Sequence, residues 1–136
     1  MDSSAKSLIT LLTFFLVILQ CRADLLSKKT TVMINNLGHV DLIVHCKSKD
    51  DDLGVQTIHS GTFWSFSFKP NWFGGTDFYC KFQWSGSPQI YWFDIYEEKR
   101  DVHFCLDCHW SISPNASGPC RTSGETGESN CYEWNK

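Results

Sequence analysis

Alternation is the dominant pattern of this chain. Between residues 101 and 112 (DVHFCLDCHWSI) the even positions Val102, Phe104, Leu106, Cys108, Trp110 and Ile112 are apolar. The odd positions Asp101, His103, Cys105, Asp107, His109 and Ser111 are polar or small. Side chains of an extended strand point to opposite faces in turn, so one long strand with an inward and an outward face is predicted here. The same period recurs at 40–46, where Val40, Leu42, Val44 and Cys46 oppose Asp41, Ile43 and His45. At 62–69 Trp64, Phe66 and Phe68 oppose Phe63, Ser65 and Ser67, and at 77–84 Phe78, Cys80, Phe82 and Trp84 oppose Tyr79, Lys81 and Gln83. These last two segments read as a long hairpin with aromatic inner faces. Shorter strands are expected at 31–35 and 54–59. The run 90–96 (IYWFDIY) is polar on neither face, which suits an interior strand of a two-layer structure.

Turn formers and charged loops separate these runs: NLG at 36–38, SKDDDLG at 48–54, PNWFGG at 70–75, SGSP at 85–88 and EEKR at 97–100. From residue 113 onward the chain is rich in Ser, Gly and Asn and reads as an irregular tail pinned by Cys120 and Cys131. Seven or eight strands, no convincing helix and a turn about every ten residues indicate an all-β fold, an antiparallel β-sandwich. A small closed barrel is the alternative.

The N-terminus breaks the pattern. Lys6 precedes the apolar run 8–19 (LITLLTFFLVIL), and small residues stand at Cys21 and Ala23. That is the layout of a secretory signal peptide, residues 1–23, cleaved after Ala23. Twelve helical residues reach about 18 Å, short of a hydrocarbon core of roughly 30 Å, so export without membrane insertion is expected. The β-sandwich domain then occupies 24–120 and the tail 121–136. Losing Asp2, Lys6 and Arg22 with the signal leaves a net charge of −4. This acidic balance speaks against a nucleic-acid partner, which would need a basic patch.

Six cysteines remain after Cys21 leaves with the signal: Cys46, Cys80, Cys105, Cys108, Cys120 and Cys131. An even number in an exported chain implies disulfides, with 15 connectivities open. Asn115-Ala116-Ser117 is an N-glycosylation sequon. The CxxC of Cys105 and Cys108 lies within strand periodicity, where positions three apart face opposite ways about 10 Å apart, so this pair is not expected to close on itself. His103, Cys105, Asp107 and His109 share a face, but its ends lie about 20 Å apart, and no second half-site of metal-ligand spacing is present. Asp50, Asp51 and Asp52 fail the EF-hand pattern, since the twelfth position is Gly61. No GxSxG occurs, and the five histidines fall at no informative spacing. No metal, cofactor or catalytic residue is therefore assigned.

Several runs together carry a resemblance. HCKSKDDDLG (45–54), FSFKPNWFGGTDFYCKFQW (66–84), FDIYEEKRD (93–101), CHW (108–110) and GPC (118–120) look like the plant self-incompatibility protein family, small secreted S-protein homologues. The match keeps order and spacing from about Thr31 to Cys120. It implies a disulfide-bonded β-sandwich without enzymatic activity, acting as a secreted ligand. In the founding members that ligand is made by the pistil and read by a pollen receptor. The family's recurrent cysteines match Cys46, Cys80, Cys108 and Cys120. The resemblance favours pairing Cys46 with Cys120 and Cys80 with Cys108, leaving Cys105 to Cys131. The expected partner is a plasma-membrane receptor on another cell, met by a monomer. Its contact residues are expected in loops: Asp50, Asp51, Asp52, the loop aromatic Trp72, and Glu97, Glu98, Lys99, Arg100 and Asp101. The alternatives are a secreted defence protein acting on microbes and a small secreted hydrolase. The acidic charge speaks against membrane disruption as the defence mode.

Overall fold

The computed structural model describes residues 2–71, 73–115 and 117–135. Helix α1, Ser3–Leu26, carries the apolar N-terminal run, and nine strands follow: β1 Lys29–Asn35, β2 Leu42–Lys47, β3 Asp52–Ile58, β4 Phe63–Phe68, β5 Asp77–Trp84, β6 Tyr91–Glu97, β7 Asp107–Ile112, β8 Cys120–Ser123 and β9 Ser129–Cys131. A one-turn helix, α2 Glu98–Asp101, links β6 to β7. The helix α1 is 24 residues long, twice the apolar core read from the sequence, and its large apolar side chains from Leu8 to Leu19 stand in solvent. It adds nothing to the core, as suits a removable leader.

The strands form two sheets, one in the order β4-β1-β7-β8-β9 and the other in the order β3-β2-β5-β6. Their inward faces share one core of Met33, Leu42, Val44, Phe78, Phe82, Phe93, Ile95, Trp110 and Ile112 with their neighbours. Aromatic rings bridge the layers: Phe66 and Phe68 meet Phe78 at 4.9 and 4.7 Å between centroids, and Phe93 meets Trp110 edge-on at 5.0 Å. Such tilted and edge contacts add to the burial of large apolar area.

The structure corrects several expectations. The sheets are not wholly antiparallel, because β1 and β7 pair in parallel from Thr30 beside Asp107 to Asn35 beside Ile112. The nine strands exceed the seven or eight expected, since the tail is ordered: β8 and β9 form a hairpin, and Tyr132 and Trp134 pack on the core. Segments 62–69 and 77–84 are not a hairpin, because β4 joins β1 and β5 joins β2 and β6. The connection between them crosses from one sheet to the other, so their aromatic faces meet across the core. The strand β6 is an edge, not an interior strand, and Asn135 N–H donates to Trp92 O along it.

The largest correction concerns residues 101–112. Only Asp107–Ile112 is strand, with Cys108, Trp110 and Ile112 inward. Upstream the chain turns through α2, and Asp101 is buried while Leu106 is 42 % exposed, the reverse of the alternation. That turn brings the α-carbons of Cys105 and Cys108 to 5.3 Å and the pair forms a disulfide. The other disulfides are Cys46–Cys80 and Cys120–Cys131, each between directly opposed residues of neighbouring strands. The pairings Cys46–Cys120, Cys80–Cys108 and Cys105–Cys131 are therefore all replaced. Strand parity puts several cysteines in one core but leaves open which neighbour each one faces.

Candidate functional site

Strand directions gather four connections at one end of the molecule: β2–β3, β4–β5, β6–β7 and β8–β9. Two of them enclose an open cleft of about 630 Å³, walled by Ser48, Lys49, Asp50 and Asp51 on one side and by Lys69, Asn71, Gly75, Thr76 and Asp77 on the other. Phe68, Phe78 and Tyr79 form its base. The first wall is a closed turn: Ser48 N–H donates to Asp51 O at 2.8 Å and Asp51 N–H to Ser48 Oγ at 3.1 Å. The turn leaves Asp50 and Asp51 exposed. In the second wall, Asn71 N–H donates to Thr76 Oγ1 at 2.7 Å and Gly74 N–H to Asn71 O at 3.0 Å.

Gly74 and Gly75 have φ of 79° and 78°, a left-handed conformation that residues with a Cβ seldom adopt. It lets the chain double back against α2, where Gly75 N–H donates to Glu98 Oε2 and Glu98 N–H to Asp77 Oδ1. A Cβ on Gly74 would meet that carboxylate at 3.2 Å. Phe73 stands 91 % exposed at the tip of this wall. Trp72, the loop aromatic singled out in the sequence, lies outside the described residues.

The residues singled out in the sequence thus divide. Asp50 and Asp51 line the cleft, and Glu98 braces it from behind. Asp52 turns away onto β2, where its Oδ1 sits 2.6 Å from His45 Nε2 and accepts from Gly54 N–H at 2.9 Å. Lys47 Nζ is 3.7 Å from its other oxygen. The Gly54 amide first, and then the His45 ring, hold the Asp52 carboxyl below its ordinary range.

Arg100 and Asp101 do not present themselves to a partner. Asp101 is 0 % exposed and accepts from Glu97 N–H at 2.8 Å, from Arg100 Nη2 at 2.7 Å and from Arg121 Nη1. The Arg100 guanidinium lies 5.0–5.2 Å from the ring centroids of Phe93, Trp110 and Tyr132, and that of Arg121 lies 3.6 Å from the ring of Phe104. This is an interior cluster of one carboxylate, two guanidinium groups and four aromatic rings. Asp101 and, at 3.8 Å from Arg100, the Glu97 carboxylate answer its two guanidinium charges, and Lys99 alone of the EKRD turn is exposed.

Sequence reasoning missed Lys49, Lys69 and Phe73. Lysines in a loop carry no signal of their own, but an aromatic residue between Asn71 and two glycines does. The cleft offers carboxylates, amines and an amide. Among the described residues no group of three His, Cys, Asp or Glu side chains is placed to hold a metal ion. Three histidines each face an aspartate, His45 with Asp52, His59 with Asp41 and His109 with Asp107, at separate places on the surface. Asn115, in the connection from β7 to β8, is exposed at the end of the molecule opposite the cleft.

Residues 30–134 match the model of the family described as plant self-incompatibility protein S1. S-protein homolog 2 of Arabidopsis thaliana is 44 % identical over 117 residues, covering 81 % of this chain and 70 % of that protein. S-protein homolog 29 of the same plant is 38 % identical over 140 residues, covering 99 % of this chain and all of that one. A solved structure described as a self-incompatibility protein homologue, from a widespread family of small, highly stable, secreted plant proteins, superposes with a TM-score of 0.58. It shares 18 % identity and covers 82 % of this chain and 97 % of its own. The matched span includes β8, β9 and the segment that carries Tyr132 and Trp134, so most of what reads as a tail lies within the family match. The chain belongs to the plant self-incompatibility protein S1 family.

Proposed function

We propose that the protein is a secreted, non-catalytic recognition ligand, and that the cleft between residues 48–51 and 69–77 is the surface read by a plasma-membrane receptor on another cell. The observation that carries this reading is the convergence of separate connections on one exposed cleft, braced from behind by Glu98. Loops set on a rigid two-sheet frame are where recognition residues concentrate. An exposed aromatic, Phe73, on the connection that forms one wall, together with Asp50, Asp51, Lys49 and Lys69 lining the cleft, has the make-up of an interface hot spot with a polar rim. The apolar leader α1 supplies the route out of the cell. An N-glycan on Asn115 would sit at the far end and leave the cleft free.

The test is binding of labelled, oxidised protein to cells of the responding tissue. Phe73→Ala and the pair Asp50→Lys, Asp51→Lys should each weaken binding by about tenfold or more, with the circular dichroism spectrum unchanged. Wild-type binding by both variants would remove the cleft from the recognition surface. Growth inhibition of microbes by the purified protein, with no binding to plant cells, would replace the signalling role by a defence role.

A further inference from the structure

The outward face of the four-stranded sheet takes no part in the cleft's two walls. Its register sets Val55, His45, Lys81 and Trp92 in one row across all four strands. The row nearer the cleft holds Lys47 and Tyr79, and the row farther away holds Thr57, Ile43 and Gln83. Trp92 is 46 % and Tyr79 40 % exposed, with ring centroids 6.5 Å apart and ring planes inclined by 36°. Two large aromatic rings thus lie side by side on an open surface. Ile43 and Val55 extend the apolar area, but polar side chains separate them from the rings.

The outward carboxylates of this face are Asp52, which answers both His45 and Lys47, and Asp94, two residues along β6 from Trp92. Lys81, directly opposite Trp92 and two residues along from Tyr79, has no ion-pair partner among the described residues. A free amine beside exposed rings, on a chain of negative net charge, is a local attraction for an anion.

This chemistry fits a sugar better than a protein. The apolar residues are interrupted and make no contiguous patch of the kind that marks a protein interface core. The C–H faces of a pyranose ring, in contrast, stack on the electron-rich faces of Trp and Tyr rings. Sugar hydroxyls can reach the amide of Gln83 and the hydroxyl of Thr57. Four strands cover roughly 14 Å across the sheet, enough for a run of sugar rings. A neutral glycan would leave Lys81 unanswered, whereas a carboxylate-bearing one would not. We propose that this face binds an acidic polysaccharide, a chain of uronic-acid sugars, with its rings on Trp92 and Tyr79 and a carboxylate on Lys81. The site adjoins the receptor cleft, whose base includes Tyr79, but its other residues, Trp92 and Lys81, lie outside the cleft.

Affinity electrophoresis of the oxidised, secreted protein through gels containing polygalacturonate, its methyl ester or dextran tests the proposal. Polygalacturonate should retard the wild-type protein most, and dextran should not retard it. Trp92→Ala should lower affinity for polygalacturonate and for the methyl ester by about tenfold. Lys81→Gln should lower it for the acid alone, and Lys81→Arg should restore it. Phe63→Ser, an exposed change on the other sheet, should have no effect, and all variants should keep the wild-type melting midpoint. The proposal fails if polygalacturonate does not retard the wild-type protein, or if Trp92→Ala and Lys81→Gln are retarded like wild type. It also fails if sedimentation shows a dimer that Trp92→Ala dissolves, for then a second copy of the chain covers the face.

Discussion

Asp101 is the residue on which the interior electrostatics turn. It is the carboxylate that contacts both the buried Arg121 and the mostly buried Arg100, which the Glu97 carboxylate reaches only at 3.8 Å, and it also accepts the backbone N–H of Glu97. Breaking a buried ion pair from one side strands the remaining charge, which costs far more than the pair itself contributes. Asp101→Asn keeps the shape and removes the charge. It should lower stability by about 3–5 kcal/mol, read as a fall in the guanidinium midpoint at unchanged slope. A loss below about 1 kcal/mol would show that the aromatic rings alone hold the two guanidinium groups. Tyr96 is the opposite case. Its ring is fully buried and its hydroxyl has no hydrogen-bond partner among the described residues. Burial first, then the nearby charges of Asp101, Glu98 and Asp77, push its ionisation above the ordinary tyrosine value of about 10. A raised acid pKa means that the folded state keeps a proton the unfolded chain has lost. Stability is therefore complete below about pH 10 and falls above it as the unfolded phenol ionises. Tyr96→Phe should leave stability at pH 7 equal or higher, since it removes an unpaired buried hydroxyl, and should flatten the alkaline loss. A stability that falls just as steeply in the variant above pH 10 would assign the loss to another group.

At the scale of the element, what could be read from sequence and what could not have distinct physical origins. Alternation located β2, β4, β5 and β7 because each buries one face, and the inward residues Leu42, Val44, Phe78, Phe82, Trp110 and Ile112 follow directly from it. Alternation says nothing about which strand lies beside which, so the parallel pairing of β1 with β7 and the separation of β4 from β5 were not legible. It also carried the expected strand too far upstream. Residues 101–106 keep a binary pattern by coincidence while Asp101 turns inward to meet Arg121, a residue 20 positions away. Glu125 then ends that turn, accepting Leu106 N–H at 2.9 Å and Asp107 N–H at 2.7 Å. Burial opposes its ionisation, but Ser123 Oγ and these amides outweigh it and hold the carboxyl low. Of the loop residues, Asp50 and Asp51 were legible as a charged turn. Asp52 was not separable from them, although it belongs to the β2–β3 hairpin. Its lowered pKa fixes a sign: the folded state is favoured by this group above the ordinary aspartate range, and the contribution disappears as pH falls through the folded value. Amide exchange in β2 and β3 should therefore speed up below about pH 4 relative to β5 and β6, and Asp52→Asn should produce the same local speeding at neutral pH. Uniform acceleration across all strands would mean that the acid effect is global and lies elsewhere.

At the scale of the whole molecule, no disulfide among the described residues joins the two sheets. Cys46–Cys80 ties β2 to β5 within one sheet, Cys120–Cys131 ties β8 to β9 within the other, and Cys105–Cys108 closes a local turn. The layers are held together by the aromatic core, and the bridges act mainly by restricting the unfolded chain. The sequence separations are 34, 11 and 3 residues, for which loop-closure entropy gives roughly 4, 3 and 2 kcal/mol. The middle bridge does more than its loop length implies. The strand β9 is only three residues long and exposed, yet it leads into Tyr132, which covers Trp110, and Trp134, which meets Phe82 at 5.2 Å. Without the covalent tie, so short an edge strand has little to hold that cover over the Asp101 cluster. Converting Cys120 and Cys131 together to Ser should thus cost more than about 3 kcal/mol, and at least as much as removing Cys46 and Cys80. Protease should cut the segment after Ser123 while the rest stays folded, and tryptophan fluorescence should shift toward the solvated value before global unfolding. If the loss stays near 3 kcal/mol and the segment resists cleavage, packing of Tyr132 and Trp134 alone secures the C-terminal hairpin, and the bridge acts only on the unfolded state.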